Sequence, residues 1–484
     1  MSDPAPLRFA IVGHPNEGKS SVVSTLAEDD TVPVGPMPGE TRACHNYPVI
    51  IDSRIVVEFI DTPGFQNPRH TLAWLENFGS ADEQAIHAFR EKHRTLPAYQ
   101  HECQLLEPIE KGAGIIYVVD GSRPLRQTDL AEMEILRRTG RPRLAIINSK
   151  DRNEEYLDEW KAAFRRHFNS VRVFNAHHAN YAQRMALLDT LKSIDQDWQP
   201  AMEEVIEAFR DDWEHRLAAT ATLIGELLET SISHFALADC GEGDDHEREE
   251  HLKERFRKEL SAMERRFHER IRKLFKHNIF QFEPSSQTAL QQDLFSERVW
   301  RVLGLDRTQL MWAAALAGGT GGAGLDVLFS GISAGVFTAG GALLGALSAY
   351  FGGERLAKVK APGPRILGLD LSPRLGRTQL KIGPMHNLQF FFILLDRALI
   401  FFSYVINWAH GRRDQPSDEE AEKSSEGFTS TWNEEQRRLA TRYFDALKKA
   451  EDAADMDPAR REFQKFLRQQ LLEMSREGSQ KPAL

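Results

Sequence analysis

Eight consecutive residues near the start of the chain, Gly13-His14-Pro15-Asn16-Glu17-Gly18-Lys19-Ser20, have the glycine, lysine and hydroxyl spacing that wraps a phosphate chain. The glycines let the loop turn its N–H groups inward at a helix start, where aligned peptide dipoles favour an anion. Lys19 is placed to neutralise the β- and γ-phosphates of a nucleotide, and Ser20 to ligate Mg²⁺. Gly13, Asn16, Glu17, Gly18, Lys19, Ser20 and Ser21 are therefore the candidate phosphate-binding residues. Two further pieces follow in order. Asp61-Thr62-Pro63-Gly64 closes an apolar run, which puts Asp61 in reach of Mg²⁺ through water and the Gly64 N–H near a γ-phosphate. Thr41, within Pro38-Gly39-Glu40-Thr41-Arg42, lies in the intervening loop. Its hydroxyl can complete the Mg²⁺ shell while a γ-phosphate is present and leave it afterwards, which makes a switch. Ser20, Thr41 and Asp61 form the expected Mg²⁺ set; Lys19, Thr41, Gly64 and Asn16 are the candidate catalytic residues.

Such a loop works only between a strand and a helix. Leu7–Val12 reads as the strand and Ser21–Leu26 as the helical run. Further short apolar runs at Val49–Ile51, Ile55–Ile60, Gly114–Val119, Leu144–Ile147 and Val171–Phe174 alternate with helical patterns, which predicts a largely parallel sheet. A stretch from about Phe65 to Gly112, rich in His, Glu and Arg, delays the next strand well beyond an ordinary loop and predicts an inserted helical segment at about 66–112. The expected fold is an α/β P-loop G domain, mostly parallel sheet with helices on both faces, over 1–197. A mainly α-helical C-terminal region follows it.

The segments GHPNEGKSS, PGETR and DTPGF together resemble the Era/TrmE branch of translation-factor-class GTPases, over about residues 7 to 180. With HECQLLEPI, YVVDGSRP, MEILRRTGRPR and VRVFNAHH added, the chain looks like proteobacterial GTPases fused to a C-terminal domain of unknown function. The resemblance implies GTP and GDP as ligands. Its base-recognition motif is Asn-Lys-x-Asp, where this chain has Asn148-Ser149-Lys150-Asp151. Asn148 and Asp151 keep the spacing, and Asp151 is expected to accept from guanine N1 and the exocyclic amine. Ser149 replaces the lysine that packs beside the base, which weakens guanine preference. Asn175-Ala176-His177 stands where the family has Ser-Ala-Lys, so the Ala176 N–H is a candidate guanine donor; a plain strand-to-helix turn is the other reading. Phe65 occupies the position at which many small GTPases carry a glutamine. A phenyl ring cannot orient water, so slow hydrolysis is expected. In TrmE-like proteins the P-loop asparagine, here Asn16, helps hold a K⁺ ion that stabilises charge in the transition state. The alternative is that Asn16 only caps its own loop. His14, Arg42 and the insert's His70, His87, His93 and His101 are other candidates. A true GTPase and a binding switch with negligible turnover both remain open.

The 484 residues exceed one ordinary domain, and 41% hydrophobic with 27% charged residues is a globular composition. A net charge of −10 argues against non-specific nucleic-acid binding. Cys44, Cys103 and Cys240 lie far apart with no metal-type spacing, and the first residues have no signal-peptide pattern, so a reduced, cytoplasmic setting is expected. Residues 198–300 read as long helices with a break near Gly241–Asp245, the second helix, about 246–276, being locally basic with interleaved glutamates. Within 301–410, the segment 308–353 is dense in Gly and Ala, has Asp326 as its one charged side chain, and carries small-residue pairs such as Gly318/Gly322 and Gly341/Gly345. Three readings compete for this half. The segment 308–353 is a membrane-inserted hairpin flanked by Arg301, Arg307, Arg355, Lys358 and Lys360, placing the protein peripherally or as a hairpin at the inner membrane. Or it is a buried hairpin in a soluble helical domain. Or the basic helix binds RNA, which is less favoured because no GXXG module is present. A small hairpin of Ile366–Leu371 with Thr378–Ile382, a linker near 411–426 and one final amphipathic helix over about 431–475 complete the expectation. A protein effector is implied but not identified.

Overall fold

A computed structural model describes residues 6–33, 43–78, 83–149, 155–239, 245–277, 357–360, 378–412, 427–450 and 453–477, together with Leu290, Leu294, Phe295, Val299 and Leu303. Thr41, Arg42, Lys150, Asp151, Cys240, the 308–353 segment, Ile366–Leu371 and 413–426 lie outside the described residues.

The nucleotide domain is built on a six-stranded sheet of order β2-β3-β1-β4-β5-β6: β1 (Leu7–Val12), β2 (His45–Ile51), β3 (Arg54–Asp61), β4 (Gly114–Asp120), β5 (Arg143–Asn148) and β6 (Ser170–Phe174). All neighbours are parallel except the hairpin pair β2 and β3. The period-2 geometry of β1 sends Phe9 and Ile11 to one face and Ala10 and Val12 to the other, and all four are fully buried. On the first face pack α1 (Lys19–Ala27), α7 (Tyr181–Lys192) and the first turns of α8 (Gln199–Ile232). The second face is covered by α2 (Pro68–Asn77), α3 (Glu83–His93), α4 (Gln100–Glu110), α5 (Gln127–Arg138) and α6 (Leu157–His167). The long insert after β3 is thus α2, α3 and α4, helical as its composition implies.

The 34-residue α8 serves two cores. Met202, Val205, Ile206 and Phe209 pack on the sheet, whereas Trp213 through Ile232 pack in a second, helical core. A boundary at 197/198 therefore divides sequence patterns but not packing. The second core adds α9 (Asp245–Leu274), α10 (Leu388–Asn407), α11 (Glu434–Lys449) and α12 (Ala453–Glu477). One continuous final helix over 431–475 was the sequence expectation; the structure has two, because Ala450 turns extended (ψ 123°) after Lys449. Asn433 opens the first of them with a capping box to Gln436. The strand β9 (Thr378–Ile382) forms, but its antiparallel partners are β7 (Ala236–Asp239) and β8 (Ala357–Lys360).

The helix α10 is long and apolar enough to cross a membrane, with a mean hydropathy of 1.7, yet 83% of that window is buried. Its two charges are satisfied inside the protein. Asp396 accepts from the Thr429 N–H at 2.7 Å and its hydroxyl at 3.0 Å, and Arg397 forks onto Glu264 at 2.6 and 2.8 Å. On α9 four basic residues pair with acids, as Lys253–Glu249, Lys258–Glu254, Arg255–Glu259 and Arg270–Glu226.

The two cores meet at the rear of α1. Glu28, its left-handed C-cap (φ +52°), is 4% exposed and receives Arg184 of α7 at 2.5 Å, Arg216 of α8 at 2.7 Å and Lys276 at 3.4 Å. These cations outweigh the burial and hold the Glu28 carboxyl well below its usual range. Ser24 Oγ donates to His410 O at 2.8 Å, and Gly411 N–H donates to Thr25 Oγ1 at 3.2 Å. A Cβ on Gly411 would lie 2.6 Å from Ser21 O, so only glycine lets the chain come this close to α1.

Candidate functional site

The phosphate loop leaves β1 at Val12 and enters α1 at Lys19. Asn16 (φ +68°) and Gly18 (φ +88°) both take left-handed backbone, which curls the loop on itself. Lys19 is 6% exposed, and its Nζ donates to His14 O at 2.9 Å, across the mouth of the loop. Ser20 Oγ donates to Asp61 Oδ2 at 2.8 Å. Asp61 stands beside Ile11 in the parallel register, so the sheet itself brings the end of β3 to the first turn of α1. A hydroxyl and a carboxylate oxygen at this separation are the hard donors Mg²⁺ takes. Thr62 Oγ1 anchors the following turn to Ile11 O at 2.7 Å. Gly64 lies against Pro15: a Cβ there would be 2.6 Å from the proline ring, so the second switch touches the phosphate loop directly.

Phe65, in the glutamine position, is fully buried among Ala10, Val12, Phe89 and Leu105 and does not line the site. The next two residues are held by Glu102 of α4, whose Oε1 accepts from Gln66 N at 2.7 Å and Asn67 N at 2.5 Å.

The Glu17 side chain turns toward the end of β4 and the loop after it. It meets Arg123 at 2.6 Å and accepts from the Asp120 N–H; burial raises its pKa against the lowering pull of Arg123. Any nucleotide contact from Glu17 is thus its main chain. Arg123 also forks onto Asp129 at 2.8 and 2.9 Å, which fixes the start of α5. Asn148 is fully buried and joins two loops, donating from Nδ2 to Glu17 O and accepting from Ala176 N at Oδ1, both 3.2 Å. The Ala176 N–H expected for guanine is therefore engaged by Asn148, while Ala176 O accepts from Thr25 Oγ1 at 2.9 Å. Ser21, 3% exposed, lies on the face of α1 that Gly411 approaches.

Two side chains near the loop, Glu132 and Glu102, were not legible in the sequence. Glu132 is fully buried and pairs with His14 Nδ1 at 3.0 Å and Tyr117 OH at 2.9 Å. That hydrogen bond raises the His14 pKa, while burial raises that of Glu132. No motif announces Glu132, nor Glu102. Arg123 had a signal in the YVVDGSRP stretch. Of the insert's histidines, His87 pairs with Glu110 at 2.5 Å and His93 stacks on Phe89 at 4.4 Å, so both serve the insert. Among the described residues no group of three or more His, Cys, Asp or Glu is arranged to hold a metal ion.

With this geometry in view, comparison with known proteins divides the chain in two. Residues 8–149 match the family described as 50S ribosome-binding GTPase, and residues 161–472 match the domain of unknown function DUF3482. GTPase Der of Thermotoga petrophila is 27% identical over 168 residues, 34% of this chain and 33% of that protein. GTPase Der of Bifidobacterium longum is 29% identical over 149 residues, 31% of this chain and 27% of that one. The chain thus spans about a third or less of the length of these relatives. Among solved structures, Era in complex with MgGDPNP and nucleotides 1506–1542 of 16S ribosomal RNA aligns with 53% of this chain and 88% of its own, at 16% identity and TM-score 0.26. NFeoB from S. thermophilus bound to GDP·AlF4⁻ and K⁺ aligns with 54% and 90%, at 16% identity and TM-score 0.23.

Proposed function

The chain belongs to the family defined by the domain of unknown function DUF3482, here behind a GTP-binding GTPase domain, and on that premise we propose that it is a slow, Mg²⁺-dependent nucleotide switch of the Era/TrmE-like type. The observation that carries the reading is the Ser20–Asp61 contact of 2.8 Å beside Lys19, a divalent-cation site and a phosphate-binding cation at one loop. When bound there, Mg²⁺ would neutralise charge between the β- and γ-phosphates. Lys19 exchanges its bond to His14 O for phosphate oxygens, and the loop N–H groups of 13–18 orient the chain. Thr41 reports the γ-phosphate to the switch, and Asp151 reads guanine against a base pocket shaped by Asn148. Slow turnover follows from Phe65, whose ring is committed to the core, so no side chain at that position orients the attacking water. Asn16 is proposed to hold K⁺ at the loop and so supply the missing charge. For the cellular setting we propose the cytoplasmic face of the inner membrane, with 308–353 as the contact, supported by its small-residue pairs and flanking cations.

GTP turnover by the purified chain, in K⁺ against Na⁺ buffer and with or without anionic liposomes, tests all of this. A K⁺ requirement lost in Asn16→Ala and a rate raised by liposomes are expected, with Lys19→Ala abolishing nucleotide binding. Unchanged turnover without liposome co-sedimentation sinks the membrane part. Absence of GTP binding by the wild type sinks the reading altogether.

A further inference from the structure

The second switch is fastened at five of the six residues that follow Asp61. Thr62 is tied to Ile11 O, Gly64 abuts Pro15, Phe65 is sunk in the core, and the Gln66 and Asn67 N–H groups converge on one oxygen of Glu102. Glu102 is fully buried, and no hydrogen-bond partner is found for its Oε2 among the described residues. A carboxylate kept out of water with one oxygen unsatisfied is retained at a cost, so its other oxygen must do something that an apolar residue cannot. Its two donors stand at the entrance to α2, of which Asn67 is the N-cap, where the helix dipole favours an anion. Asn67 is fixed a second time through Nδ2 to Ala98 O at 2.7 Å, in the turn leading into α4. The same helix reaches the exit of the first switch: Cys44 Sγ donates to Gln104 O at 3.2 Å.

We propose that Glu102 is a positioning residue for the γ-phosphate, bracing Phe65–Asn67 from the insert so that the Gly64 N–H stays beside the P-loop. This rests on the GTPase reading above and assigns the insert a part in it. The segment between Gly64 and Gln66 contains one residue, and that residue is clamped in the core, so little slack separates the Glu102 carboxylate from the Gly64 amide. Movement of the brace is movement of the γ-phosphate donor. GDP has no atom at that place and is indifferent to it.

The test compares wild type with Glu102→Ala and Glu102→Gln in the full chain. Affinities for GDP and the non-hydrolysable GTP analogue GMPPNP are measured, single-turnover GTP cleavage is followed, and hydrogen exchange is read on the nucleotide-free protein over Thr62–Leu75. In Glu102→Ala, exchange over that stretch rises, GMPPNP affinity and the cleavage rate each fall about tenfold, and GDP affinity holds. Glu102→Gln keeps an acceptor oxygen in the same shape and returns both to within about threefold of wild type. Equal losses for GDP and GMPPNP, or unchanged exchange in Glu102→Ala, overturn the brace. A wild type that binds neither nucleotide overturns the GTPase reading and the brace with it, whereas a wild type that binds both beside an unaltered Glu102→Ala overturns the brace alone.

Discussion

The front of α1 and its rear are held by different physics. At the front, Lys19 reaches a carbonyl five residues away, and Ser20 meets Asp61 because parallel strands place it there. Backbone curvature and glycine-permitted contact do most of the work. At the rear, the Ser24 and Thr25 hydroxyls bond the backbone of the loop after α10, and Glu28 meets the buried cations Arg184 of α7 and Arg216 of α8 and the partly exposed Lys276 just after α9. The front is a cradle that can exchange partners with a phosphate. At the rear, Glu28, Arg184 and Arg216 are buried with little solvent to relax into, and only Lys276 is partly exposed. Residues within the DUF3482 match are thus bonded to the same helix whose first residues, Lys19 and Ser20, belong to the phosphate loop.

Removing the charge at the rear should have the largest effect. Glu28→Gln leaves Arg184, Arg216 and Lys276 facing a neutral group and is expected to cost about 4 kcal/mol in denaturant unfolding; a loss below about 1 kcal/mol would mean that charge does not secure this end. Acid should attack the same side next. His277 stacks on His410 at 4.2 Å, and burial pushes His277 down to about 4. It is neutral when folded, so its contribution is full above about pH 6.5 and drains as pH falls toward 4, because the unfolded chain takes up the proton first. The loss from His277 is on the order of 3 kcal/mol, and His277→Phe should flatten that part of the stability profile. At the front, Phe65→Gln restores the side chain many GTPases use, yet it should lower stability by about 2 kcal/mol without raising turnover, since that position faces the core. A rise in turnover would show that the front is less fixed than its packing implies. The smallest change is Ser149→Lys, expected to tighten GDP binding about threefold by laying an aliphatic stem beside the base; GDP titration reads it.

The same contrast decided what could be read from the residues in order. Gly13 to Ser20 are contiguous, and Asp61 ends an apolar run, so front-end chemistry is written in local spacing. Glu28 and Arg216 are 188 positions apart, and Thr25 and Gly411 are 386 apart. No period links such residues, and each by itself looks like an ordinary surface charge or turn. Glu102 and Glu132 were hidden for a related reason: both lie on amphipathic helices where a glutamate is unremarked until the fold turns it inward. The break at Ala450 escaped because the apolar stripe continues across it from α11 to α12. The antiparallel partners of Thr378–Ile382 escaped because one comes from β7, far upstream.

The burial of α10 bears on how the protein is made. During synthesis α8 and α9 leave the ribosome before it, but α11 and α12, which also pack on it, follow after. For that interval the nascent chain displays twenty residues that insertion machinery reads by hydrophobicity, interrupted only by Asp396 and Arg397. Those two charges raise the cost of entering lipid; Glu264 of α9 is already made and can pair Arg397, whereas the Thr429 hydrogen bonds to Asp396 come only with later residues. A chain terminated before Ala453 would keep α8, α9 and α11 but lose the part of the cover of α10 that α12 supplies, including Phe463, Leu467 and Leu471.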